Sequence, residues 1–519
     1  MIVLHKTEAF FSSSPSVRSL RRKVSVLAAL LAAVLATAES LHAAAPGAVI
    51  EDSAIRKAIV GYIQAETAAA KGSLGVHVND GIVMLSGTVE SLMQKIQARR
   101  IAESVKGVRS VVDDLRVEPS ARDDAAIAGD VRWNIGKLPP REGIDILVSV
   151  DGGVVTLSGT ADSWVLSRMA VRKAMAVNGV AEVVNRIEVK PGPHREDQAI
   201  RRDIVGRLEN DLYIDAAHIQ VTVKDGRVNL AGTAQTAAQK RRAAENAWIA
   251  GVVEVDSRDL EVDRHGMGEL RRPSLYVPKS DVEILKAVED ALRMDPRVNP
   301  HIPDVSVVNG AVILSGAVDT LYAKRAAVAD ARNTTGVWRV DDQLQLRYRA
   351  FPSDDAVKRL IVDVFRRDAE LHAQNIEVSV ADNHVTLTGS VKTRGHKVRA
   401  ENIVSQIDGV LTVDNRIQTP PAVDRPDDAE ISAAIGDELY WSPYVDSERL
   451  TVSVADGRAV LKGRVANRFV ARIAVQNAFQ GGARSVRTQL TLNDGSILAE
   501  IFETQPDAAW PDAAWWPHL

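Results

Sequence analysis

A glycine that closes a short apolar run returns six times in this chain, at Gly87, Gly159, Gly232, Gly316, Gly389 and Gly463. The intervals between them are 72, 73, 84, 73 and 74 residues. A period of that length and regularity describes an array of small domains rather than one large core. Whatever appears in every copy is architecture, so an active site would have to stand out in a single copy.

Reading outward from the glycine defines the repeating unit. Nine and eleven residues before it lie valine pairs such as Val76 and Val78 or Val378 and Val380, and two residues before it a leucine such as Leu85 or Leu387. Alternation of this kind predicts two strands, each with one buried face. Six residues before it comes Gly81, Gly153, Gly226, Gly310, Asn383 or Gly457, the residue types that accept positive φ in a tight hairpin turn. Four residues after it stands Ser91, Ser163, Thr236, Thr320, Thr393 or Asn467, each a good helix N-cap. Seven further on, every copy has an alanine: Ala98, Ala170, Ala243, Ala327, Ala400 and Ala474. It either lets the helix lie close against the sheet or simply favours helix. A second glycine then stops the helix, at Gly107, Gly179, Gly251, Gly336, Gly409 and the Gly481-Gly482 pair.

An Asp-led amphipathic segment, such as Ile284, Val288 and Leu292, precedes each hairpin. The unit therefore reads α-β-β-α-β. Strands one and two form an antiparallel hairpin, and strand three returns parallel through a right-handed crossover. The expected fold is α+β: six tandem α-β-β-α-β modules, each a three-stranded mixed sheet with two helices packed on one face. Anchor glycines such as Gly389 are expected where the strand leaves the sheet and a side chain would collide or need positive φ.

The copies IEVSVADNHVTLTGSVKTRGHKVRAENIVSQIDGVLTVDNRI and VHVNDGIVMLSGTVESLMQKIQARRIAESVKGVRSVVDDLRV carry the pattern most fully. This pattern resembles the BON domain, a small module of bacterial envelope proteins. On that resemblance the chain divides into modules at 50–118, 123–190, 196–263, 281–348, 353–418 and 428–493. Linkers occupy 264–280 and 419–427, and a tail runs over 494–519. Copy two departs by inserting Lys137-Leu138-Pro139-Pro140, and copy six by Ala459 and Lys462. The resemblance implies periplasmic residence and association with phospholipid membranes.

Other features bear on that expectation. Arg18, Arg21, Arg22 and Lys23 precede an apolar run from Val24 to Ala38, followed by small-residue cleavage sites, so residues 1–43 read as a signal peptide. The run is shorter than the roughly 20 residues a spanning helix needs, and an uncleaved anchor is the alternative. Arg21-Arg22 also invites a twin-arginine reading, which the following Lys-Val-Ser fits poorly. The absence of cysteine excludes disulfides, thiolate chemistry and a lipid anchor on cysteine. The formal charge of −4 would fall to about −7 on cleavage after Ala43, so attraction to anionic lipid has to be local.

Candidate lipid or partner contacts lie on the second helices: Lys95, Arg99, Arg100, Lys240, Arg241, Arg242, Lys324, Arg325, Lys397 and Arg399, with a solvated basic face as the alternative. Trp510, Trp515 and Trp516 in the tail suit a membrane interface or a partner groove, or fold back on the last domain. The Gly-, Pro- and Arg-rich segment between copies three and four reads as a hinge between two sets of three modules.

The motifs of zinc proteases, phosphate loops, nucleophile elbows and dinucleotide folds are missing, and the eleven histidines are scattered and expected at the surface. No enzyme activity, cofactor, metal site or nucleic-acid partner is expected, and the oligomeric state is open. The favoured function is weak, multivalent association with phospholipid membrane in osmotic or envelope stress. The alternative is a scaffold that binds another envelope protein through module faces or the Trp-rich tail.

Overall fold

The computed structural model describes residues 50–67, 74–138, 145–190, 195–262, 277–295, 297–298, 302–347, 352–420 and 427–502. The signal segment, most of the 264–280 and 419–427 linkers, and Trp510, Trp515 and Trp516 lie outside the described residues. Module one comprises α1 (Asp52–Glu66), β1 (Leu74–Asn79), β2 (Ile82–Val89), α2 (Leu92–Ser104) and β3 (Ser110–Val117). Module two comprises α3 (Asp124–Ile135), β4 (Asp145–Asp151), β5 (Val154–Ala161), α4 (Trp164–Met175) and β6 (Glu182–Val189). Module three has α5 (Asp197–Asn210), β7 (Ile219–Lys224), β8 (Arg227–Ala234) and α6 (Ala237–Asn246), then a third strand broken into β9 (Glu254–Asp256) and β10 (Leu260–Val262).

Module four has α7 (Asp281–Met294), β11 (Asp304–Val308), β12 (Ala311–Val318), α8 (Leu321–Arg332) and β13 (Arg339–Leu346). Module five has α9 (Asp354–Arg367), β14 (Asn375–Ala381), β15 (His384–Ser390), α10 (Arg394–Ser405) and β16 (Thr412–Asn415). Module six has α11 (Asp428–Trp441), β17 (Leu450–Ala455), β18 (Arg458–Val465), α12 (Arg468–Gln480) and β19 (Ser485–Leu492). It adds β20 (Ile497–Leu498) and β21 (Ile501–Phe502), both paired with β19. In each module the second strand is central, antiparallel to the first and parallel to the third, as the connections require.

Local chemistry explains the repetition. Every second helix starts at a capping side chain that accepts the backbone N–H three residues on, from Ser91 to Asn467. The six alanines are wholly buried, which settles their role as close-packing residues. The first residue of each first helix is an aspartate whose carboxylate accepts both backbone N–H groups of the hairpin turn. Asp52 holds Asp80 and Gly81 at 2.7 and 3.0 Å, and Asp354 holds Asp382 and Asn383 at 2.9 and 2.9 Å. Asp124, Asp197, Asp281 and Asp428 repeat the bond pair. Both turn residues have positive φ in the type I′ manner, 49° at Asp80 and 70° at Gly81.

The anchor glycine does not sit where its strand leaves the sheet. β2 runs on past Gly87 to Val89, still paired with β3, and Gly87 faces the first residue of β1. The residue adopts φ of 106° at Gly389, and a β-carbon there would overlap the Asn375 carbonyl oxygen of the incoming strand. At Gly159, Gly232, Gly389 and Gly463 a neighbouring backbone crosses too closely for any side chain, while at Gly316 there is room and the positive φ alone favours glycine.

The six modules pair in nested order. Between modules three and four, Leu212 N–H donates to Asn333 O at 3.0 Å and Thr335 N–H to Asn210 O at 3.0 Å. Between two and five, the corresponding residues repeat the pair: Ala369 N–H to Ala176 O at 2.9 Å and Asn178 N–H to Arg367 O at 2.9 Å. Modules one and six meet through Lys106 and Glu438 at 3.0 Å and Lys57 and Glu430 at 3.7 Å. The long linker that reads as a hinge therefore joins two modules that pair directly, and copies one to three lie against copies four to six in reverse order.

Candidate functional site: a basic cavity between the modules

Each sheet uses its helix-covered face for its own core, so the outer surfaces of the helices are left to meet other modules. They enclose a cavity of about 2010 Å³ to which all six modules contribute, from Met93 in module one to Arg472 in module six. Eighteen basic and fourteen acidic side chains line it, an excess of positive charge in a chain whose formal charge is −4.

Several second-helix cations expected at the surface are engaged in this interior. Arg399 makes a bidentate pair with Asp368, both bonds 2.7 Å, and Arg242 reaches Asp211 at 2.6 Å with both side chains buried. Arg241 bridges modules by bonding Glu103 at 2.6 Å and its own Glu245 at 3.1 Å, and Arg325 pairs across to Glu401 at 2.8 Å. Lys95 and Lys324 donate to third-strand carbonyls, Leu115 O at 2.6 Å and Leu344 O at 2.5 Å. Arg99 is half exposed and pairs with Glu103 at 2.8 Å, while Lys240 and Lys397 are partly buried. Burial, reinforced by the Arg241 guanidinium, pushes Arg100 down to about 10.

One histidine departs from the surface expectation. His396 is buried between modules one and five, with Nε2 3.6 Å from Glu370, whose carboxylate accepts the Ser91 hydroxyl. Burial, and then the nearby Arg399, push the imidazole down to about 4. His77 and His384 are exposed on their strands.

Arg172 and Lys173, which have no carboxylate partner among the described residues, lie on α4, in one of the two copies whose second helices contributed no candidate to the sequence reading. Trp164, Arg168 and Arg172 follow one another at four-residue spacing and form a single stripe. Trp164 stacks on Trp248 of module three, ring centres 4.4 Å apart, and its indole N–H is buried without an acceptor among the described residues. Arg168 pairs with Glu245 at 3.1 Å, while the buried Nε of Arg172 has no acceptor among the described residues. Burial, then repulsion from Arg168, push Arg172 down to about 10. Lys173 donates to the neutral Gln406 at 3.0 Å, and burial, then Arg172, push it down to about 8. Both keep intermediate accessibility because the cavity reaches them. The sequence signal was the Trp-x-x-x-Arg-x-x-x-Arg spacing, found in copy two.

The BON domain model matches six times, over residues 51–119, 123–191, 196–264, 280–348, 353–421 and 427–494. Osmotically-inducible protein Y of Escherichia coli (strain K12) is 31% identical over 145 residues, which is 27% of this chain and 72% of that protein. An uncharacterized protein in the gshII 5′ region of Anaplasma centrale is 27% identical over 124 residues, 23% of this chain and 82% of that one. The C-terminal domain of CdsD, a structural protein of the type III secretion system of Chlamydia trachomatis, is 18% identical, with 41% of this chain and 99% of that chain covered and a TM-score of 0.12. With six matches spanning most of its length, the chain belongs to the BON domain family.

Proposed function

We propose that this protein is a non-enzymatic, periplasmic envelope protein that associates with phospholipid and acts in osmotic or envelope stress, its six modules working as one body. Family membership and the osmotically inducible relative support an envelope-related role. The observation that carries the lipid reading is the basic cavity: its excess of cations, set between low-dielectric walls, focuses a positive field that the acidic chain as a whole lacks. At about 2010 Å³ it exceeds the roughly 300–1,000 Å³ typical of small-molecule pockets and has room for lipid headgroups with their glycerol ends.

The reading differs from six independent weak contacts, since the cavity exists only when the modules are assembled. Flotation of the full chain with vesicles of phosphatidylcholine alone, or with added phosphatidylglycerol, tests it against single modules. Flotation of the full chain on the anionic vesicles only, with none for single modules, is expected. Equal flotation by one isolated module would count against the shared cavity.

A scaffold role finds support in one surface. Ile82, Met84 and Val112 are exposed neighbours on the outer face of the module-one sheet, with Met84 paired to Val112. On this reading the full chain floats with no vesicle, and a photo-crosslinker at Met84 captures a defined protein.

A further inference from the structure

We propose that the α4 stripe of Trp164, Arg168 and Arg172, with Lys173 beside it, is a binding site for a phosphate group inside the cavity. As to the source of that phosphate on a lipid headgroup, the inference rests on the reading above; the anion site itself stands on the following geometry.

Buried donors without acceptors are costly, and two of them occur on one stripe of one helix, on residues that line the same cavity. Both are N–H groups, so what is missing is an acceptor. The groups around them specify its charge. Arg172 is faced by Arg168 and Lys173 from its own helix and by Arg100 from α2, with Glu245 from α6 and the Tyr322 phenol from α8 as further titratable neighbours. Lys173 is faced by Arg399 and Lys137, with Asp368 as the acidic group, and that carboxylate is already held by both nitrogens of Arg399. Cations thus crowd a cavity wall where the nearby carboxylates are committed to other partners, Glu245 to Arg168 and Arg241. An oxyanion beside Arg172 relieves its unpaired donor and the mutual repulsion of the cations around it.

The stripe also suits the rest of a lipid headgroup. Trp164 lies two helical turns from Arg172, about 12 Å along the axis. Its stacked partner Trp248 extends an aromatic surface beside a free N–H donor. An indole of this kind meets the glycerol and ester region of a phospholipid while a guanidinium meets the phosphate.

The full chain is titrated calorimetrically with inorganic phosphate and, below its micelle concentration, with dioctanoyl phosphatidylglycerol. Wild type is compared with Arg172→Gln, Trp164→Phe and the control Arg416→Gln, whose guanidinium pairs with Asp414 on module five outside the cavity lining. Arg172→Gln is expected to weaken binding by about tenfold or more, the loss of a charge-assisted bond, and Trp164→Phe by about threefold. The control should bind as wild type does.

Thermal melts of the free proteins provide the second readout. A residue kept for structure destabilises when lost, whereas an unpaired buried guanidinium kept for a ligand leaves Arg172→Gln as stable as wild type or more so. Binding of both probes, each weakened by Arg172→Gln, supports a phosphate site open to either source. Lipid binding alone, weakened in the same way, supports the headgroup, and phosphate binding alone supports the site while removing the lipid reading. No binding of either probe overturns the proposal, as does undiminished binding by a folded Arg172→Gln protein, which leaves the lipid reading intact but places its site elsewhere.

Discussion

At the hairpin end of each module one aspartate holds one turn through the same two bonds, six times over, whereas around the cavity the second helices present different residues from copy to copy. Arg242 and Arg399 occupy the same position in copies three and five, where copy one has Gln97, copy two Met169, copy four Ala326 and copy six Ile473. The outer ends had one task, to close a module, and any copy that lost the clamp would lose stability. The inner faces had six different neighbours to meet. Repetition here marks what makes a module, and divergence marks what joins modules and binds.

Substitutions can break that contrast or sharpen it. The largest effect is expected inside: Arg399→Ala strands the buried Asp368 carboxylate at the junction of modules two and five, and should cost about 3–5 kcal/mol in urea unfolding. Next comes Gly389→Val, which forces a side chain into the Asn375 carbonyl and should cost about 3 kcal/mol, read as lost hydrogen-exchange protection in β14 and β15. Asp124→Ala and Asp354→Ala each unpair two turn N–H groups and should cost about 1–2 kcal/mol by the same amount. Widely different costs at these two would show that the clamps are not equivalent, and the contrast drawn above would fail.

The smallest effect concerns pH. The Lys173 ammonium is held at about 8, below its ordinary 10.5, so between those values the unfolded chain binds more protons than the folded one. Stability gains a contribution as pH rises through 8 toward 10.5, and the charged form is a liability below 8. Melting temperatures of wild type minus Lys173→Met should therefore climb over pH 8 to 10. A flat difference would mean that the cavity screens this charge from its neighbours.

The module was legible in the sequence because its determinants are local: a Gly or Asn at the turn, a capping hydroxyl, alternating valines. The clamp was missed, although the aspartates were seen as helix starts, because its two ends lie 28 and 29 residues apart and look like separate features. A constant separation between an Asp and a turn in all six copies was the available signal. The placement of Arg242 and Arg399 was not legible, since a cation on a helix face looks the same whether it meets water or the Asp211 or Asp368 carboxylate. His396 was expected at the surface for the same reason, its burial coming from module one, four copies away in the chain, rather than from its own helix. The stripe on α4 carries no signal of repetition, because its Trp-x-x-x-Arg-x-x-x-Arg spacing belongs to copy two alone among the six second helices.

The nested pairing of modules also dictates a timetable. Modules three and four are neighbours in the chain, so the loop that must close before Leu212 reaches Asn333 is the shortest of the three. Closing it draws two and five together, and that in turn draws one toward six, so assembly runs like a zip from the middle of the chain to its ends. A chain emerging from its N-terminus completes its first module long before the partner that carries Glu438 exists. During that interval the apolar and basic helix faces of the first three modules stand uncovered. The helix faces of the first module thus wait longest for their partner, and those of the third module wait least.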